Sequence, residues 1–146
     1  MEYDDSDLLG AFALHPHFYF HQELSNHAGL AYEKGTAFAS NAPQGQYYEF
    51  GIAPGYTFAE KTRYPLAVTF PSSVGLGSNG FFGQGFGYFS TGLEFSVPLA
   101  FVPESYGAWT TSVTGLYYRL GSTSAFYTNS SDPNQGVISW SIATKF

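Results

Sequence analysis

The chain has 146 residues, enough for one domain, and Lys, Arg, Asp and Glu make up 11% of it, against roughly 25% in an ordinary soluble domain. Phe, Tyr and Trp make up 20%, which argues against disorder, and without cysteine there is no disulfide framework, thiolate metal site or cysteine nucleophile. A net charge of −6 with five Lys plus Arg argues against nucleic acid as a partner, because little could neutralise a row of phosphates. No apolar run approaches the ~20 residues of a membrane-spanning helix.

Side chains alternate with a period of two in six segments, and this alternation predicts an antiparallel all-β fold. The fifth segment is less regular, and we expect a β-bulge near Gly115 to reconcile its two halves. Gly or Pro interrupts nearly every window that could form a long helix. The predicted strands cover about 12–24, 46–59, 64–76, 88–101, 106–120 and 137–146.

The two faces of these predicted strands differ in chemistry. One face is rich in aromatic residues and carries essentially no charge, whereas the other holds mostly Gly, Ala, Ser and Thr. The outer face of a soluble barrel normally carries Lys and Glu, so the pattern favours an inverted barrel with aromatics toward lipid and small polar residues toward the lumen. The links alternate long and short, as the loops and turns of such barrels do: 25–45, 60–63, 77–87, 103–105 and 121–136.

The last nine residues resemble the C-terminal signal strand of bacterial outer-membrane β-barrels, an amphipathic strand that ends in an aromatic residue. Ile138, Trp140, Ile142 and Phe146 match this pattern, while Thr144 departs from it. The resemblance implies an antiparallel up-and-down β-barrel (meander) of about six to eight strands, placed in the bacterial outer membrane with lipid as its partner. It brings no known activity. The resemblance also implies that the protein is exported. A signal peptide would begin with basic residues, whereas this chain begins with acidic ones, so we expect the signal peptide to be absent from this sequence.

The number of predicted strands is too small to close a barrel of this kind. About six strands are recognisable in residues 1–146, taken as a single β-barrel domain, but single-chain barrels of this kind have at least 8. We therefore expect a homo-oligomer, or a C-terminal part of a larger barrel whose N-terminal half is missing. Residues 28–40 could also contribute two more strands.

All four histidines lie between positions 15 and 27, and three of them suggest a metal site. His15, His17 and His21 share one face of the first predicted strand with Glu23. Two imidazoles in a His-x-His pair can begin a zinc or copper site, with a further ligand from an adjacent strand, such as Glu49. The alternative is a polar lumen lining.

Glu23, Glu49 and Glu94 are predicted to face the lumen. Paired carboxylates can perform acid–base chemistry when they lie roughly 5–10 Å apart, but lining a pore or pairing with Arg119 or Lys145 is the preferred interpretation, so no catalytic residue is assigned.

The segment 75–80 fits the dinucleotide pattern G-x-G-x-x-G, yet we interpret it as a loop, because the residues after it do not favour a helix.

Three functions remain open at this stage. The first is a non-enzymatic outer-membrane-type β-barrel that acts as a pore or a structural membrane protein. The second is a soluble β-barrel that binds a ligand on its aromatic residues. The third is a small metal-dependent enzyme that uses His15, His17 and His21. Dependence on detergent separates the first function from the other two, and metal analysis separates the third from the second.

Overall fold

The computed structural model describes residues 3–10, 13–24 and 44–146. These residues form an antiparallel β-sheet, which confirms the predicted fold class. Residues 28–40, where two more strands were considered, lie outside the described residues. The strands are β1 (His17–Gln22), β2 (Gln46–Ile52), β3 (Gly55–Phe58), β4 (Leu66–Thr69), β5 (Ser72–Gly77), β6 (Phe86–Pro98), β7 (Ala108–Leu120) and β8 (Asn134–Lys145).

Eight strands make six spans, because two spans are each interrupted once by a proline. Pro54 separates β2 from β3, and Pro71 separates β4 from β5; proline has no N–H to donate to a sheet ladder. The two breaks meet across the sheet, where the Phe70 amide donates to the Pro54 carbonyl (2.8 Å). The spans follow one another in chain order as a meander. β2 pairs with β5 and β3 pairs with β4. β6 pairs with β4 and β5 on one side and with β7 on the other.

The described residues include three short helices, one before the first span and two in links that were predicted to be loops. The second of them begins inside the 75–80 segment, so a helical turn does follow this glycine pattern. Gly75 and Gly77 themselves lie within β5. The pattern therefore belongs to a strand end and one helical turn, and it does not open the long helix of a dinucleotide-binding unit. The helices are α1 (Ser6–Leu9), α2 (Asn79–Phe82) and α3 (Ser122–Thr128), with a 3₁₀ turn at Glu104–Tyr106.

The β-bulge predicted near Gly115 is wrong. β6 and β7 pair without a shift from Tyr88 to Pro98, so Gly115 takes an ordinary position opposite Leu93. The alternation of the fifth span is irregular because Leu116, Tyr118 and Leu120 lie on the polar face, while the apolar face includes Thr111 and Gly115. The sheet has its bulge between β5 and β6 instead, where the register shifts between Gly75 and Leu76.

The register places most of the large apolar residues of the six spans on one face of the sheet, although Leu116, Leu120 and Val137 lie on the other. One row across the sheet shows this, since Phe95 pairs with Val68 and Val113, and Val113 pairs with Trp140. The next row, on the opposite face, is polar. This apolar face has little cover, because the only buried apolar side chains among the described residues are Ala13, Val68 and Ala125.

The sheet is open among the described residues, which do not close into a barrel by themselves. β8 pairs with β7 on one side, and no described residue pairs β8 with β1. The diameter of a barrel grows with the number of its strands, and about eight strands give an interior just wide enough for packed side chains. Six spans are therefore too few to enclose the aromatic side chains of the apolar face.

The contact between Gly75 and the Tyr88 ring shows how closely neighbouring spans pack. A Cβ atom at Gly75 would lie 2.3 Å from the Tyr88 ring on the neighbouring strand, whereas a Cβ atom at Gly115 would meet nothing within 4 Å. We expect Gly75→Ala to lower the free energy of unfolding by about 1–3 kcal/mol through overpacking. Gly115→Ala, the matched control, should change it little. Denaturant titration in detergent measures both, and equal effects of the two substitutions would contradict the close ring contact.

Candidate functional site

The clearest polar cluster lies on the polar face and is centred on Glu49. The Tyr88 hydroxyl donates to Glu49 Oε2 (2.5 Å), the Tyr47 hydroxyl donates to the same oxygen, and His17 Nε2 lies 3.1 Å from Oε1. The two tyrosine hydroxyls are 2.8 Å apart. Glu49 and His17 expose only about a fifth of their side chains, at 19% and 20%. We call His17, Tyr47, Glu49 and Tyr88 the Glu49 cluster.

The sheet register brings the Glu49 cluster together across three spans. Glu49 on β2 lies opposite Gly75 on β5, and Gly75 lies opposite Tyr88 on β6. Because Gly75 has no side chain, the Tyr88 ring can lie over it and reach Glu49 on the far strand. His17 reaches Glu49 in a similar way, with its ring over Gly51. Glu49 was among the predicted residues, but Tyr88 was not, since nothing in the sequence reveals which strand lies two away.

The other two predicted lumen acids have separate partners. Glu94 accepts a hydrogen bond from the Thr114 hydroxyl on β7 (2.9 Å). Glu23 follows β1 and accepts one from the Gly45 amide (2.7 Å). Glu49 and Glu94 therefore each have their own hydrogen-bond partners, and no acid–base pair is assembled from them.

The predicted histidine row is broken at its first member. His15 precedes β1 with a φ of 47°, so it does not continue the strand face that carries His17 and His21. His17 bonds Glu49, and the His21 ring packs against Tyr47 with centroids 5.5 Å apart. His15 and His17 still border one cavity of about 470 Å³, which is lined by Tyr3, Asp4, His15, His17 and Ala53.

His15 lies off the strand face because the Asp5 side chain forms hydrogen bonds with the backbone around it. The Asp5 carboxylate is buried and accepts hydrogen bonds from the amides of Leu14 (2.9 Å) and His15 (2.8 Å). The Leu14 amide holds the pKa of Asp5 below its usual value, because these bonds favour the ionised form. His15 Nδ1 then lies 3.6 Å from Asp4 and 3.9 Å from Asp5.

Asp4, Asp5 and His15 are the described residues that could hold a metal ion, since one ligand atom from each lies within 4.8 Å of the others. His15 was among the predicted metal ligands, but the two aspartates were not, because the turn that brings them to His15 depends on the tertiary hydrogen bonds of Asp5.

Among the described residues, no helix is both long and apolar enough to cross a membrane.

Comparison with known proteins gives no match, whether to a protein-family model, a curated protein or a solved structure.

Removing the Glu49 carboxylate should cost more stability than removing that of Glu94. Glu49→Ala leaves two tyrosine hydroxyls and an imidazole without their acceptor, whereas Glu94→Ala frees one threonine hydroxyl. Groups left unsatisfied in this way cost about 1–3 kcal/mol each when buried, so we expect the gap between the two variants to be of this order. Chemical denaturation measures it, and a larger loss in Glu94→Ala would contradict the role of the Glu49 cluster.

Zinc or copper binding by His15, His17 and His21 stays a prediction, and the structure shows how to test it. A site at Asp4, Asp5 and His15 would lose its metal in His15→Ala and keep it in His21→Ala. It would also lose its metal below about pH 6, because imidazole ligands must be neutral. Calorimetric titration of metal-stripped protein checks this. No binding by the wild type would leave the histidines as a polar lining, and equal binding by both variants would place the metal elsewhere.

Proposed function

We propose that this chain forms part of the wall of an outer-membrane-type β-barrel and acts as a pore or a structural membrane protein, without enzymatic activity. The apolar face would meet lipid, and the polar face would line the lumen. The observation that carries the proposal is the exposure of most of the apolar face, on which Val68 is a buried exception. In its central row, Phe95 and Val113 are each 46% exposed and Trp140 is 68% exposed.

This exposure fits a lipid surrounding better than water. Monomeric soluble proteins rarely expose apolar patches larger than a few hundred Å², and the apolar residues here continue across every span. In the soluble alternative the same face would be a core, which requires a second layer to cover it. The described helices are single or double turns, too short to cover a sheet of this size.

The lengths of five of the six spans also support the proposal, whereas β1 has only 6 residues. A tilted strand needs about 9–11 residues to cross the hydrocarbon core of a bilayer. β6 and β7 each have 13 residues, and β8 has 12. The interrupted spans reach similar lengths when their two halves are taken together.

Charged side chains are placed as a membrane barrel requires. In mid-strand, Glu49 and Glu94 both project from the polar face. The described cations lie at strand ends or in turns, where long side chains can reach the headgroup region. Arg63 is an example, since its guanidinium donates to the Ala100 carbonyl (2.9 Å) and lies over the Tyr64 ring. The other described cations are Lys61, Arg119 and Lys145.

Closure requires more strands than the described residues supply. Further copies of this chain, or further strands of a longer chain, would complete the barrel. Either source satisfies the same physical need, because a sheet edge in hydrocarbon leaves backbone groups without partners.

Two neighbouring positions on β7 provide the test. Val113 lies on the apolar face, and Ser112 lies on the polar face, where its hydroxyl is 2.8 Å from that of Ser141. We expect Val113→Arg to lower the stability of the inserted protein by about 2–4 kcal/mol, the cost of arginine near the bilayer midplane. Ser112→Arg, which faces the lumen, should cost much less.

The readouts are detergent dependence and gel mobility with and without boiling, because membrane barrels stay folded in detergent until heated. We expect wild type and Ser112→Arg to need detergent and to shift on boiling, and Val113→Arg to lose the shift. A wild-type protein that stays dispersed as a monomer without detergent would contradict the proposal.

A further inference from the structure

The helical turn α2 lies against the polar face of the sheet and packs on the Glu49 cluster. The Phe81 ring stacks on Tyr47, with centroids 5.2 Å apart and planes inclined by 24°. The Phe82 ring meets Tyr47 edge-on at 5.7 Å and Tyr88 at 6.4 Å. Both phenylalanines therefore project over the face that holds the polar side chains.

Backbone hydrogen bonds fix α2 in this position. The Ser78 amide donates to the Gln46 carbonyl, and the Gln46 amide donates to the Ser78 hydroxyl, both at 2.9 Å. These bonds join the start of α2 to the start of β2. After α2, the Gln84 side chain accepts a hydrogen bond from the Ser122 hydroxyl of α3 (2.9 Å), so the two links are joined at the same end of the sheet.

Glycines make room for the two rings. A Cβ atom at Gly87 would lie 2.2 Å from the Phe82 ring, and one at Gly77 would lie 2.7 Å from it. A Cβ atom at Gly45 would lie 3.0 Å from the Phe81 Cβ atom. A larger residue at any of these three positions would require the Phe82 ring or the α2 backbone to shift.

We propose that α2 is a plug, which closes the lumen of the barrel at this end and keeps the resting protein from conducting ions. The proposal rests on the proposed function, because the polar face becomes a lumen only when the barrel is complete. Two phenylalanine rings in a confined pore form a hydrophobic constriction, and such constrictions stop ions by excluding water. The tyrosine hydroxyls beneath the rings are bonded to Glu49 or to each other, so their hydrogen atoms are already engaged within the protein.

The test compares ion conductance of the wild type and of Phe81→Ala/Phe82→Ala, each reconstituted in a lipid bilayer. We expect the wild type to be nearly silent and the double variant to conduct at least about tenfold more, because removing both rings hydrates the constriction. Phe89→Ala/Phe95→Ala is the matched control, since it removes two rings from the apolar face. It should stay as silent as the wild type.

A disulfide provides a second variant if the alanine pair does not insert. The chain has no cysteine, and the Cβ positions of residues 45 and 81 are close to the roughly 3.5–4.5 Å spacing that a disulfide needs. Gly45→Cys/Phe81→Cys should therefore cross-link readily, whereas Gly45→Cys/Gly115→Cys should not. Both forms lack the Phe81 ring and keep Phe82, so they differ only in the tether. We expect the cross-linked protein, whose tether holds α2 on the sheet, to be nearly silent and the reduced form to conduct more.

The outcomes separate the two proposals. If inserted wild type conducts as well as the alanine variant, or if both are silent, the plug is overturned while the barrel stands. Equal conductance of the cross-linked and reduced forms also overturns the plug. A wild-type protein that neither enters bilayers nor shifts on boiling overturns the proposed function, and the plug with it.

Discussion

Hydrogen bonds between neighbouring spans fix the register of the sheet, and the register decides which side chains share a face. β6, β7 and β8 pair without a shift along nearly their whole length, so Phe95, Val113 and Trp140 fall in one row. A slip of one residue would exchange the two faces of a span and place its aromatic residues among the serines of the opposite face. The pairing and the separation of the faces therefore stabilise each other, provided that the two faces meet different surroundings.

Small residues on the polar face matter as much as large ones on the apolar face. His17 lies over Gly51, Tyr88 over Gly75 and Phe82 over Gly77 and Gly87. Each ring covers a backbone segment that would otherwise be bare, and each glycine provides the space that the ring needs. This pairing of rings with glycines explains how a face of mostly small residues can hold a layer of aromatic side chains without pushing the strands apart.

Period-two alternation was sufficient to predict the six spans, because a strand whose two faces meet different surroundings alternates apolar and polar residues along its whole length. The proline interruptions and the bulge beside Gly75 could not be placed, since they depend on which strand lies alongside. His15 shows the same limit. Its neighbours alternate as a strand would, but Asp5, ten residues earlier, binds the local amides and turns the backbone away. The packing of α2 depends on Tyr47 and Tyr88 from two different strands, and no local pattern in 77–87 indicates it.

In the proposed barrel, the outer edge of β8 is where a further strand would have to pair. Soluble proteins protect an edge strand with charges, prolines or bulges, and none of these interrupts β8 before Lys145. Its apolar residues Ile138, Trp140 and Ile142 continue the apolar face directly to this edge. In hydrocarbon the backbone groups along the edge need partners, and only another strand can supply a full row of them. That strand must run antiparallel to β8 and alternate in the same sense, because only then do the apolar and polar faces continue unbroken around the barrel.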